Sequence, residues 1–168
     1  MNVFDFVIGV ERDAQSYYHS LAQKSAHQGM KNIFDLMAQD EERLCTKLEA
    51  LKSECSEELT ESTVLDLVVS SEQTGQVEFS PDTLRNDVDA YAYVLRREAG
   101  RVAMYQEVAA EEANPVIRSV LLQVAAEEVR NLESWQYLYE FASAPQRHLA
   151  WAEFSNLSEF RNFGRDQV

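Results

Sequence analysis

Cysteine, histidine, proline and glycine are all scarce in this chain of 168 residues, which has two, three, three and five of them. So few glycines and prolines leave little material for the tight turns of a sheet protein. With 45% apolar residues and frequent Ala, Leu, Glu, Gln and Arg, the composition predicts an all-α fold. Cys45 and Cys55 fall on one predicted helix, where ten residues rise about 15 Å, beyond disulfide reach. They are read as free thiols of a reducing, cytoplasmic compartment. Basic residues are outnumbered 15 to 29, a net charge of −14, so no basic face is expected that would displace counterions from nucleic acid. No run approaches the roughly 18 apolar residues of a membrane span, and the opening MNVFDFVIGV carries Asp5 and no basic region, so neither membrane nor leader is expected.

What is present is a repeat. Glu11 and Glu41 recur 87 residues later as Glu98 and Glu128, and the same shift superposes Val7 on Val94, Tyr18 on Tyr105, Ala22 on Ala109, Ala26 on Ala113, Ala38 on Ala125, Arg43 on Arg130 and Leu51 on Leu138. Apolar residues at Val7, Ala14, Tyr18 and Leu21 predict a first helix over 2–27 with Gly29 as its stop. Phe34, Met37, Leu44, Leu48 and Leu51 predict a second over 30–56. The short connection makes 1–56 an antiparallel hairpin. Residues 57–80 lose the periodicity and read as a crossover, with a short helix or extended piece at Leu65–Val69. Ser80-Pro81 and Asn114-Pro115 are start signals for two further helices, a second hairpin over 81–142. Ser143-Ala144-Pro145 is read as a break before a C-terminal helix and tail over 143–168, with Leu149, Ala150, Phe154, Leu157 and Phe160 apolar. The whole is predicted to be one domain, a four-helix bundle with a long crossover and a short fifth helix.

Each of Glu11, Glu41, Glu98 and Glu128 lies three or four residues from apolar neighbours on both sides, hence on the packing face of its helix. Pairing of the hairpins brings four carboxylates to one level. A buried carboxylate without compensation costs several kcal/mol, so such a layer must take up metal, protons, water or a positive side chain. Hard oxygen donors suit iron, manganese or magnesium, with zinc also compatible.

The segments ERDAQSYYHSLA, LMAQDEERL, REAGRVAMYQEVA and VAAEEVRNL resemble the rubrerythrin-like branch of the ferritin-like superfamily, over most of residues 3–141. In ferritin-like di-iron proteins two helices each supply a Glu and two supply Glu-x-x-His. The resemblance implies iron, one ion or two, with manganese or zinc as substitutes. Glu41 and Glu128 would bridge two ions, flanked by Glu11 and Glu98. It also implies a ferroxidase or peroxide-reducing oxidoreductase and a homodimer. Lacking a Cys-x-x-Cys pair, and with it the rubredoxin module, the chain would need an external electron donor.

The chain departs from that pattern at three positions. Leu44 and Asn131 stand where the family has its histidines, leaving at most the weak amide oxygen of Asn131 as a ligand. Arg101 follows Glu98 by three residues where similar proteins often carry another glutamate. Its guanidinium either points inward to bridge the glutamates or snorkels outward. If inward, the alternative function is a noncatalytic helical interaction protein with a degenerate, metal-free layer. Tyr18 and Tyr105, two turns past Glu11 and Glu98, are read as core aromatics with hydroxyls in reach of the layer. Asp40, Glu42 and Glu127 are read as solvated, Cys45 as a buried thiol, and His19, His27 and His148 as outside the ligand set.

Overall fold

The computed structural model describes residues 1–56, 59–72 and 87–162, with side-chain surroundings for 1–56, 59–69 and 87–140. The predicted start at Ser80-Pro81 and the predicted tail beyond 162 lie outside the described residues. Five helices follow in order: α1 (Val3–Lys24), α2 (Gln28–Glu54), α3 (Thr63–Glu72), α4 (Asp87–Glu111) and α5 (Pro115–Asn162). The fold class is all-α, as the composition predicts. Helix α1 pairs chiefly with α2, and α4 with α5, giving the two hairpins of the repeat. No helix among the described residues is long and apolar enough to cross a membrane.

The helix starts follow capping chemistry. The Asn2 side-chain oxygen accepts from the backbone N–H groups of Phe4 and Asp5, and its amide donates to Thr60 Oγ1 at 2.7 Å, so one residue both opens α1 and fastens it to the crossover. Asn114 Oδ1 accepts from Val116 N at 2.9 Å, with Pro115 at the first helical position, as predicted. Ser62 Oγ accepts from the N–H groups of Val64 and Leu65 to open α3 and donates to the buried Glu112, tying the crossover to the α4–α5 turn.

Two predicted boundaries need correction. Helix α1 stops at Ser25, whose backbone is extended, and Gly29 lies inside the first turn of α2 with no positive φ. The turn is fastened from the other hairpin, because Asp87 Oδ2 accepts from Ser25 Oγ at 2.8 Å and from His27 N at 3.3 Å. The other correction is at Pro145, which lies within α5. The helix runs through 143–145 to Asn162 instead of breaking, so there is no separate fifth helix after a linker. An internal proline forfeits one backbone hydrogen bond at about 3 kcal/mol. The good helix formers on both sides, Ala, Leu, Glu and Gln, propagate the helix past it. In the crossover, the undecided segment at Leu65–Val69 is helical as part of α3, and Leu65 is fully buried.

Burial divides into two apolar clusters with a polar slab between them. One holds Phe4, Val7, Leu44, Leu48, Leu65, Tyr105, Ile117 and Leu121, and the other Tyr18, Leu21, Phe34, Met37, Tyr91, Val94 and Trp135. Each long helix passes from one cluster to the other, and each has a glutamate at the crossing point.

Candidate functional site: a glutamate layer around one arginine

Glu11, Glu41, Glu98 and Glu128 are 0%, 0%, 3% and 1% exposed, so the spacing argument placed all four correctly on inward faces. Sequence alone did not decide what balances them. The Arg101 side chain turns inward, 9% exposed, and its guanidinium meets every one of the four carboxylates. Nη2 donates to Glu41 Oε1 at 2.6 Å and to Glu128 Oε2 at 2.8 Å, and also contacts Glu98 Oε2. Nη1 lies 2.9 Å from Glu11 Oε2, an ion pair without hydrogen-bond alignment.

Two tyrosines complete the layer from opposite hairpins. Tyr105 of α4 donates to Glu11 Oε1 at 2.6 Å, and Tyr18 of α1 donates to Glu98 Oε1. The 87-residue shift carries one of these pairs onto the other, so the repeat survives as a reciprocal exchange of hydroxyl and carboxylate. The tyrosines are therefore more than core aromatics. Burial first, and then the neighbouring carboxylates, push both phenols well above their ordinary range, which keeps them protonated as donors. Phenylalanine at either position leaves one buried carboxylate oxygen without its donor. Each of Tyr18→Phe and Tyr105→Phe is expected to lower stability by about 1–3 kcal/mol, read by denaturant melts.

The charges do not cancel. Four carboxylates against one guanidinium leave three negative charges if all ionise. Burial raises the pKa of Glu11 and takes that of Glu41 well above the carboxylate range, while Glu128 is pushed up to about 8; Arg101 opposes the rise in all three. Protons therefore supply what the arginine does not. Even so, Glu41 Oε2 and Glu128 Oε1 are buried and receive no hydrogen bond, and Arg101 Nε donates none.

Leu44 is buried among apolar residues. Asn131 is half-buried on α5. Cys45 is a buried thiol, pushed up to about 11 by burial and by Glu11 and Glu41, hence protonated at neutral pH; Cys55 is exposed and also free. His19 is half exposed beside Asp35, and the side chain of His148 lies outside the described residues. Asp40, expected on a solvated face, instead accepts from Trp135 Nε1 at 3.2 Å and pairs with Arg43. Its repeat-mate Glu127 pairs with Arg130 and Lys47.

Against a two-metal centre the donor set fits poorly. Among the described residues no imidazole joins the layer, and the guanidinium nitrogens stand among the oxygens that two ions would share. One oxygen from each of Glu11, Glu41 and Glu128 does lie within 4.8 Å of the others, an arrangement compatible with a single ion once the arginine is elsewhere. No family model, curated protein or solved structure matches this chain. Function therefore rests on the site itself. An open apolar groove of about 380 Å3, lined by Phe4, Leu51, Cys55, Pro115, Val116 and Val120, includes none of the layer residues.

The 87-residue shift holds a signal that could have located the arginine. It pairs Arg101 with Ala14, a buried residue one turn past Glu11. One half of the repeat thus brings a long cation where the other brings a methyl group, and the layer receives a single guanidinium.

Proposed function

We propose that this chain is a noncatalytic helical interaction protein of ferritin-like, four-helix-bundle architecture, in which a degenerate metal layer is neutralised from within by Arg101, by the two tyrosine hydroxyls and by protons. The observation that carries this reading is the contact of one guanidinium with all four glutamates. Oxygen or peroxide chemistry at two metals needs ions in the space those nitrogens take, and open coordination positions beside them. Here the layer is closed by apolar clusters on both sides, and its glutamates are no more than 3% exposed. What remains for function is the outer surface, and a second copy of the chain is the first partner to test by light scattering.

The test is metal content and turnover of the wild-type protein purified without chelator, with and without anaerobic ferrous loading. The expected result is well under one ion per chain, with ferrous and peroxide reactions no faster than in buffer. Two ions per chain, lost together in Glu41→Gln and Glu128→Gln, would instead establish the di-iron reading.

A further inference from the structure

Helix α5 outruns the bundle that holds its first half. The Tyr91 hydroxyl donates to Trp135 O at 2.6 Å and its ring packs on Tyr139, so Asp87, where α4 begins, is level with about residue 141 of the antiparallel α5. Asp40 accepts from Trp135 Nε1 and Lys47 pairs with Glu127, which sets Gln28, where α2 begins, level with about residue 147. Tyr18 packs on Trp135, so the parallel helix α1 ends at Lys24 level with about residue 141. Helix α3 is tied through Ser62 to Glu112 at the opposite end of the bundle. From about residue 148 to Asn162, roughly 15 residues and 22 Å, none of the other described helices runs alongside α5.

The sequence of this overhang is arranged evenly about Leu157. Phe154 and Phe160 stand three positions to either side, and Glu153 and Arg161 stand four. With 3.6 residues per turn, steps of four and of three fall about 40° and about 60° from Leu157, so the five positions share one face. The apolar positions are symmetric about Leu157, and the charged ones are opposite in sign. A second copy laid antiparallel across this face, with the two-fold axis at Leu157, sets each position after Leu157 opposite the matching position before it. Phenylalanine then meets phenylalanine and glutamate meets arginine, each twice, as a self-complementary two-fold contact requires. A parallel pair in register would set Glu153 on Glu153 and Arg161 on Arg161. A lipid surface fits less well, because Glu153 and Glu159 outnumber Arg161 in the overhang and leave no basic excess for anionic headgroups.

We propose that the overhanging end of α5 is where two copies of this chain pair, antiparallel about Leu157, with Glu153 of each copy opposite Arg161 of the other. The inference deepens the interaction reading above, on which it rests, by naming the partner and the surface that meets it. The two bundles stand at opposite ends of the shared helix pair, and the glutamate layer takes no part in the contact.

Light scattering on the full chain, with and without charge exchange, tests this register. Wild type is expected at twice the chain mass. Glu153→Arg and Arg161→Glu are each expected at the chain mass, because each sets like charges opposite one another at both contacts. Mixed in equal amounts, the two variants are expected to return to twice the chain mass, since every contact between positions 153 and 161 is again of opposite charge. One chain carrying both exchanges is expected to do the same. Circular dichroism checks that the variants keep their helices; if a single exchange unfolds the chain, the double exchange, which keeps the contact, decides. The proposal is overturned by a monomeric wild type, by a dimer that survives both single exchanges, or by single exchanges that are monomeric and restored neither by mixing nor by the double exchange. A monomeric wild type that sediments with phosphatidylglycerol vesicles would assign the overhang to a lipid surface instead and overturns it too. None of these outcomes alters the metal content of the glutamate layer, so the reading of that layer as metal-free stands or falls separately.

Discussion

Arg101→Leu is expected to be the most destabilising single substitution in the chain, at about 3–5 kcal/mol in metal-free buffer, because removing one side of a buried ion cluster leaves the other charges without compensation. For a protein of this length that is about 6–20 °C in melting temperature. A cavity argument cannot produce the same result, since leucine fills much of the space of the arginine stem. Charge is the cause, and a rescue checks it: adding Glu41→Gln and Glu128→Gln to Arg101→Leu is expected to restore most of the loss. Arg101→Lys should fall between, because an ammonium is a point charge and cannot span the carboxylates as the planar guanidinium does. A fully stable Arg101→Leu protein, free of metal, would mean that the layer does not depend on its arginine.

Raising the pH from about 6 to about 9 is expected to destabilise the protein, against the usual behaviour of proteins rich in surface carboxylates. Glu11, Glu41 and Glu128 all have raised pKa values in the folded state, Glu128 at about 8. Unfolded, such carboxyls titrate near 4.3. Between these limits the native state holds more protons than the unfolded one. The stabilisation is therefore complete below the unfolded pKa and is lost as the pH rises through the folded one. Its slope is about 1.4 kcal/mol per pH unit for each extra proton. Glu112 and Glu127 shift the other way through hydrogen bonds to Ser62 and Lys47, so their contribution is present at neutral pH and lost in acid. Chemical melts across this range are expected to show the alkaline decline in wild type and a shallower one in Glu41→Gln with Glu128→Gln. Stability that rises steadily from pH 6 to 9 would contradict the protonation of the layer.

The legible parts of this protein were those governed by period and local chemistry. The 87-residue repeat located Glu11, Glu41, Glu98 and Glu128 on buried faces, because a helical stripe reports burial directly. Asn114-Pro115 is legible as a helix start because the cap oxygen of Asn114 accepts from Val116 N, within its own turn. The stop assigned to Gly29 failed for the opposite reason: the end of α1 is fastened by Asp87, 62 residues away from Ser25, and no local pattern contains that contact. Pro145 misled because the cost of one proline is smaller than the propensity of the long helix around it. At the site, the reach of a long flexible side chain could not be read from its position, so Arg101 stayed open between inside and outside. The hydroxyls of Tyr18 and Tyr105 were hidden similarly, since an aromatic on a buried stripe has the same sequence signature with or without a carboxylate across from it.

The most direct test of the arginine-filled layer is a crystal structure of wild-type protein prepared without chelator and soaked in Mn(II), with anomalous data collected above the manganese edge. The expected map shows the Arg101 guanidinium lying among the carboxylates of Glu11, Glu41, Glu98 and Glu128, with no anomalous peak in the layer. Anomalous density between those glutamates, with the Arg101 side chain turned out toward solvent, would contradict the account.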